Sequence, residues 1–129
     1  LCSGRALARS AIGRIAAGEP SSLTSAPAID APAIFAAMRA GDALAGSIIA
    51  DATEYLAAGF TSVVNVLDPG IIVIGGGLAN EWDTYIAPAI ARMRTQAFAP
   101  SAADTRIVPP ALGAYAGALG AVALATTLA

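Results

Sequence analysis

The sequence predicts an α/β fold that is rich in helix and carries one parallel β-α-β unit. Three observations predict it. Apolar residues recur at three- and four-residue spacings over most of the chain, the mark of amphipathic helices. Two short apolar runs, Ile71–Ile74 and Arg106–Val108, interrupt that pattern. A helical stretch lies between them, and strands joined through a helix pair in parallel with a right-handed crossover.

Each element follows from local chemistry. Ser3 is placed to cap a first helix over Gly4–Ala17, with Leu7, Ile12 and Ile15 on its inner face and Arg5, Arg9 and Arg14 outside. Gly18-Glu19-Pro20 ends it. Residues 18–30 gather Gly, Pro, Ser and Thr and read as a loop. Asp30 caps a short helix with Pro32 in its first turn, where the missing N–H is harmless. Ile34, Phe35 and Met38 form its apolar side, and Gly41 closes it.

Asp42 opens the longest helix, which extends to Leu67. Leu44, Ile48, Tyr55, Phe60, Val63 and Leu67 mark its inward face, with Asp51 and Glu54 between them as a solvated pair. Asp68-Pro69-Gly70 stops it, since proline cannot continue a helix and glycine permits the turn. Asn65 is expected to hydrogen-bond at the helix end. The unbroken run Ile71–Ile74 predicts a strand covered on both faces. A helix follows from Asp83 to Ala97, with Trp82 near its start, Ile86, Ile90 and Met93 inward, and Pro88 either early in it or kinking it. Pro109-Pro110 ends the second strand. The last helix begins near Gly113 and runs to the C-terminus; being uncharged and rich in Ala and Gly, it reads as buried and closely packed rather than as a membrane span. Two strands alone do not make a stable parallel sheet, so further strands are expected on an upstream segment.

Composition excludes much chemistry. Of 129 residues, seven are Arg, none is Lys and none is His. No lysine is available for a Schiff base or a P-loop, and no histidine for general base work. A net charge of −2 gives no electrostatic footprint for nucleic acid. Cys2 is the sole cysteine, which rules out an internal disulfide and a cysteine zinc cluster. The chain opens at Leu1 without an initiator Met or a basic leader, which suggests a piece of a longer cytoplasmic protein.

What remains is the corner after the first strand. Gly75-Gly76-Gly77 joins a strand to a helix-forming stretch. Glycine lets the backbone turn sharply and lets a ligand lie against it. Strand, glycines and helix start together present amide N–H groups to a nucleotide phosphate or ribose. The same glycines could also make a tight turn and bind nothing. A dinucleotide fingerprint fails, because Asn80 stands where a third glycine belongs.

The run from Asn65 through Val66-Leu67-Asp68-Pro69-Gly70-Ile71-Ile72-Val73-Ile74 to Gly75-Gly76-Gly77-Leu78-Ala79 resembles the ROK family of repressors, open reading frames and sugar kinases. Four more segments match in order: Ser3–Arg9, Ala40–Ala45, Arg106–Ala111 and Leu112–Ala121. The resemblance implies the C-terminal part of an actin/hexokinase-like (ribonuclease H-like) domain. It implies that Gly75, Gly76 and Gly77 contact ATP, with Leu78 flanking them, and that no residue of this chain is catalytic. ATP and Mg²⁺ would serve the parent protein. The catalytic aspartate, the sugar-binding residues and a structural zinc would all lie upstream.

On that reading the chain is the nucleotide-binding C-terminal part of a hexose kinase, with sugar and ATP as partners, no direct nucleic-acid contact, no membrane, and homo-oligomers expected. It is expected to have no kinase activity alone. The alternative is the sugar-sensing body of a ROK-family transcriptional repressor. Ala114-Tyr115 stands where family kinases carry an acidic residue after Leu-Gly, which keeps that alternative open. A third reading is a helical α/β module without a ligand.

Overall fold

The computed structural model describes residues 2–127. The order of elements is α1 (Gly4–Ala16), α2 (Ala31–Arg39), α3 (Ala43–Leu67), β1 (Ile71–Val73), α4 (Ala87–Gln96), α5 (Ala99–Asp104), β2 (Arg106–Val108) and α6 (Ala116–Thr127). The strands pair in parallel, Ile71 opposite Arg106 and Val73 opposite Val108. The expected β-α-β unit is present, with α4 and α5 in the crossover.

Capping chemistry sets the helix starts. Ser3 accepts from the Ala6 N–H, Asp30 from Ala33 and Asp42 from Ala45. Each satisfies an N–H that has no partner inside its helix. Gly41, at φ 89°, turns the chain between α2 and α3. Residues 18–30 are tied down more firmly than a plain loop. Ser22–Ser25 form a 3₁₀ turn that buries Leu23. The Asp42 carboxylate also takes the Ser21 hydroxyl at 2.9 Å, the Ser22 N–H at 2.6 Å and the Ser22 hydroxyl at 2.7 Å. Those bonds, the Ala45 N–H first, hold its pKa far below the ordinary carboxylate range.

The core has two parts. Leu7, Ile34, Phe35, Leu44, Ile48 and Tyr85 build the larger one, where α1, α2 and α3 meet the segment ahead of α4. Ala57, Phe60, Val64, Ala89 and Met93 build the smaller one between α3 and α4, against Ile72 and Ile107 of the sheet. Ala57 and Ala89 are fully buried, and their small side chains let the two helix backbones come close. Glu54 pairs with Arg92 across the outside of this contact.

Several expectations need correcting. Ile12, Tyr55, Val63 and Leu67 are exposed, Leu67 by 69%. Periodicity marks the apolar stripe of a helix, but the packed seam is narrower than the stripe. β1 is not covered on both faces, since Ile71 and Val73 are each more than half exposed. Only Ile72 meets the α3–α4 core, and no described segment covers the other side. Likewise α6 is exposed along its length, with Leu119, Val122 and Leu124 in solvent, where close packing was expected. Residues 128 and 129, to which the last helix was expected to run, lie outside the described ones.

The helix expected from Asp83 to Ala97 is divided. A 3₁₀ turn covers Gly77–Glu81 and a π turn Trp82–Ile86, and α4 proper begins at Ala87. Pro88 is the physical reason. In a continuous α-helix its ring would clash with the carbonyl four residues back. The wider turn, closed by the Ala87 N–H on the Trp82 carbonyl, places Pro88 in the first turn of α4. Nothing in the spacing of apolar residues signals the short helix α5. Arg94 holds it by donating to the Ala102 carbonyl at 2.5 Å. Asn65 does bond at the end of α3, through Oδ1 to the Phe98 N–H at 3.0 Å.

Candidate functional site

The glycine corner is set by the strands beneath it. Asp68 ends α3 in a left-handed conformation at φ 44°. The Thr105 hydroxyl donates to the Pro69 carbonyl at 2.8 Å, and the Arg106 N–H to the Gly70 carbonyl at 3.1 Å. These bonds fix where β1 begins. At its far end the Ile74 N–H reaches the Val108 carbonyl at 3.0 Å, one step beyond the regular pairing. The backbone then leaves the sheet.

Gly76 sits at φ 98° and ψ 173°, a conformation that L side chains rarely adopt. The Ala79 N–H closes on its carbonyl at 3.0 Å and starts the 3₁₀ turn. A Cβ at Gly75 would touch Pro110 at 3.8 Å, while one at Gly76 or Gly77 would meet nothing within 4 Å. Among the described residues, the N–H groups of Gly75, Gly76, Gly77 and Leu78 meet no acceptor. The corner is therefore open, with four consecutive amides available to an anion or a hydroxyl, so its residues fit a nucleotide. Leu78 differs from the glycines: its side chain is half-buried against the larger core.

Two cavities flank the corner and share Gly4, Gly77 and Leu78. One, of about 320 Å³, runs along Ile74 and the three glycines to Cys2, Ser3 and Tyr85. The other, of about 380 Å³, lies between the start of α2 and the 3₁₀ turn, with Pro32, Phe35, Asn80 and Glu81 in its walls. Tyr85 closes the back of the first. Its hydroxyl donates to the Cys2 carbonyl at 3.2 Å, and burial pushes its pKa well above the usual phenol range. The Cys2 thiol points at the Ala52 carbonyl, 3.7 Å away. Glu81 is held by Arg39 at 2.8 Å.

The structure thus brings Gly75, Gly76, Gly77 and Leu78 to one corner. It adds Pro32, Phe35, Asn80 and Glu81, which the sequence reading does not assign to the site. No local spacing announces Pro32 and Phe35, because α2 reaches the corner only through tertiary packing. Asp51 opens onto a separate cavity between α1 and α3, and Asp68 is a helix terminator. Among the described residues no group of three or more His, Cys, Asp or Glu could hold a metal ion. No single described helix is long and apolar enough to cross a membrane.

Comparison with known proteins bears on the chain as a whole. A model of the ROK family matches residues 1–128. The chain is 37% identical over 100 residues to the bifunctional enzyme NanE/NanK of Brucella melitensis, which covers 76% of this chain and 18% of that protein. It is 32% identical over 87 residues to a glucokinase of Halalkalibacterium halodurans, covering 67% of this chain and 26% of the other. Among solved structures, a sugar-kinase-type protein from Cytophaga hutchinsonii superposes with a TM-score of 0.79 at 25% identity, over 95% of this chain and 42% of its own. A ROK family transcriptional regulator, homologous to the MLC protein of E. coli, superposes with a TM-score of 0.70 at 31% identity, over 83% of this chain and 27% of its own. The chain spans about a fifth to a quarter of the length of the curated relatives it matches.

Proposed function

The chain belongs to the ROK family, and on that premise we propose that it is the C-terminal, nucleotide-side part of an ATP-dependent sugar kinase, one portion of an actin/hexokinase-like domain. The observation that carries this reading is the open corner at Gly75–Leu78, where four unpaired amides follow a strand and two cavities meet. The likeness to a glucokinase and to a sugar-kinase-type structure supports the same reading.

The chain's own residues would bind and orient. The amides of Gly75, Gly76 and Gly77 would receive the phosphate or ribose oxygens, and Leu78 would wall the site without reaching into it. Bound ATP would supply the γ-phosphoryl group to a hexose hydroxyl, with Mg²⁺ offsetting the phosphate charge. On this reading the proton-accepting aspartate would lie on an upstream segment, as would the sugar-binding residues and any structural zinc. The fragment alone would therefore not phosphorylate sugar.

The test is calorimetric titration of a non-hydrolysable ATP analogue into the full-length protein. Gly77→Val is the cleaner variant, because Gly77 lacks the positive φ of Gly76 and has open space around it. Valine at 77 should weaken binding by about tenfold or more while leaving the melting temperature unchanged. Equal affinity would remove the glycine contact. The regulator likeness at 31% identity favours a second reading, the sugar-sensing body of a repressor. A full-length protein that binds operator DNA in a sugar-dependent way, and transfers no phosphate, would establish that reading instead.

A further inference from the structure

The cavity between α1 and α3 stands apart from the glycine corner and shares no lining residue with the two cavities there. Its volume of about 300 Å³ lies at the lower end of the ~300–1,000 Å³ range of small-molecule sites. Ala6, Leu7, Ile48 and Ala52 form a buried floor. Above it each helix contributes two polar side chains, Arg9 and Ser10 from α1, Asp51 and Tyr55 from α3. Among the described residues three ion pairs form, Arg14–Glu19, Arg39–Glu81 and Arg92–Glu54, and none includes Arg9 or Asp51. Arg14 lies within the field of Asp51 but is engaged by Glu19 and Ser47. Ser10 also stands out from other helical hydroxyls. Thr53, Thr61 and Ser62 each donate to the carbonyl four residues back in α3, the usual way such a group satisfies itself. The Ser10 hydroxyl makes no such bond among the described residues, and it lines the cavity.

The two walls differ in chemistry. A guanidinium and a hydroxyl on the α1 side both donate, which suits a phosphate. A carboxylate on the α3 side accepts from hydroxyl groups. The Tyr55 ring, 53% exposed, offers a flat apolar face beside it. Together they match a molecule with a phosphate at one end and a hydroxylated ring at the other. We propose that this cavity is a second site for a hexose monophosphate, with the phosphate on Arg9 and Ser10, ring hydroxyls on Asp51 and the Tyr55 ring against the sugar. The site's chemistry stands on these four side chains; that its ligand is the product of the reaction rests on the kinase reading above. Tyr55 and Leu56 are consecutive in α3, and each lines a different cavity, so the helix sets the product site and the glycine corner back to back.

The experiment is calorimetric titration of glucose 6-phosphate, glucose and inorganic phosphate, each separately, into the full-length protein with a non-hydrolysable ATP analogue held at saturation. The analogue's terminal phosphate fills the place of the transferred group, so a second site is what registers. Glucose 6-phosphate should bind about tenfold or more tightly than either glucose or phosphate, because both walls contribute. Arg9→Gln should weaken it by about tenfold. Asp51→Ala should weaken it similarly and leave inorganic phosphate no weaker. Ser10→Leu adds bulk at an exposed position on the rim and should close the cavity to the sugar. None of the three should change the affinity for the ATP analogue, measured alone, and that constancy shows that each variant is folded. The assignment is overturned if the wild type does not bind glucose 6-phosphate, if Arg9→Gln and Ser10→Leu keep the wild-type isotherm, or if inorganic phosphate binds as tightly as the sugar phosphate, which would leave an exposed arginine taking up anions. If the ATP analogue fails to bind while glucose 6-phosphate binds and responds to these variants, the cavity stands and the nucleotide reading falls.

Discussion

The hydroxyl of Tyr85 donates to the carbonyl of Cys2, 83 residues earlier in the chain, and so ties the π turn ahead of α4 to the entry of α1. Its ring stands edge-on to Phe35, with centroids 5.9 Å apart and planes at 66°. One side chain thereby joins the first helix, the second helix and the segment after the glycines.

Tyr85→Phe keeps the ring contact and removes only the hydroxyl. It should lower unfolding stability by about 1 kcal/mol, read from the urea midpoint. The pH response should differ as well. The folded pKa lies above the unfolded value of about 10, because burial disfavours the phenolate. Stability from this group is therefore complete below pH ~10 and falls as pH rises past it. Denaturation curves at pH 8 to 11 should diverge between wild type and Tyr85→Phe.

Asp42 works in the opposite direction. It caps α3 and gathers Ser21 and Ser22, and its folded pKa is depressed. Its contribution is present above the unfolded value of about 3.9 and is lost as pH falls below it. Asp42→Ala should cost about 1–2 kcal/mol at neutral pH and flatten the loss of stability in acid. Melting temperatures from pH 7 to pH 3 check both.

Thr105 is buried and clasps the Pro69 carbonyl. Thr105→Val preserves volume and deletes that bond, at a cost of about 1 kcal/mol. Hydrogen exchange should localise the effect. The Arg106 amide, bonded to the Gly70 carbonyl, should exchange faster, and the Leu7 and Ala11 amides of α1 should be unaffected.

The exposed strand gives a fourth expectation. Ile71 and Val73 present apolar side chains on a strand whose outer edge is unpaired among the described residues. Such an edge is a template for another chain. The 129-residue chain alone should associate as its concentration rises in sedimentation velocity, and Val73→Lys should suppress that association.

The sequence made some of this architecture readable and hid the rest for physical reasons. Ser3, Asp30 and Asp42 could be placed because a cap acts within one turn of its helix. Gly41, Asp68-Pro69-Gly70 and the glycine corner could be placed for the same reason. The π turn could not, because it is the answer of a helix under tertiary load to Pro88, and a continuous helix with a kink has the same spacing. The exposure of Ile12 and Tyr55 was hidden because a stripe of apolar residues says which side of a helix is buried, not how wide the partner is. The exposed α6 and β1 were hidden because their apolar character describes a surface that the described residues do not cover. At the site, the glycines were legible and Asn80 and Glu81 were not, since their partners Pro32 and Arg39 lie more than forty residues away in sequence.

The carboxylate that binds Ser21 and Ser22 has one more effect. It anchors one foot of the arc that leads to α2, and the Asp30 cap anchors the other. Pro27 and Ala28, at the crown, face solvent. A fluorophore or an affinity tag spliced between them would ride on a bracket braced at both feet, reporting on the molecule without loosening its frame.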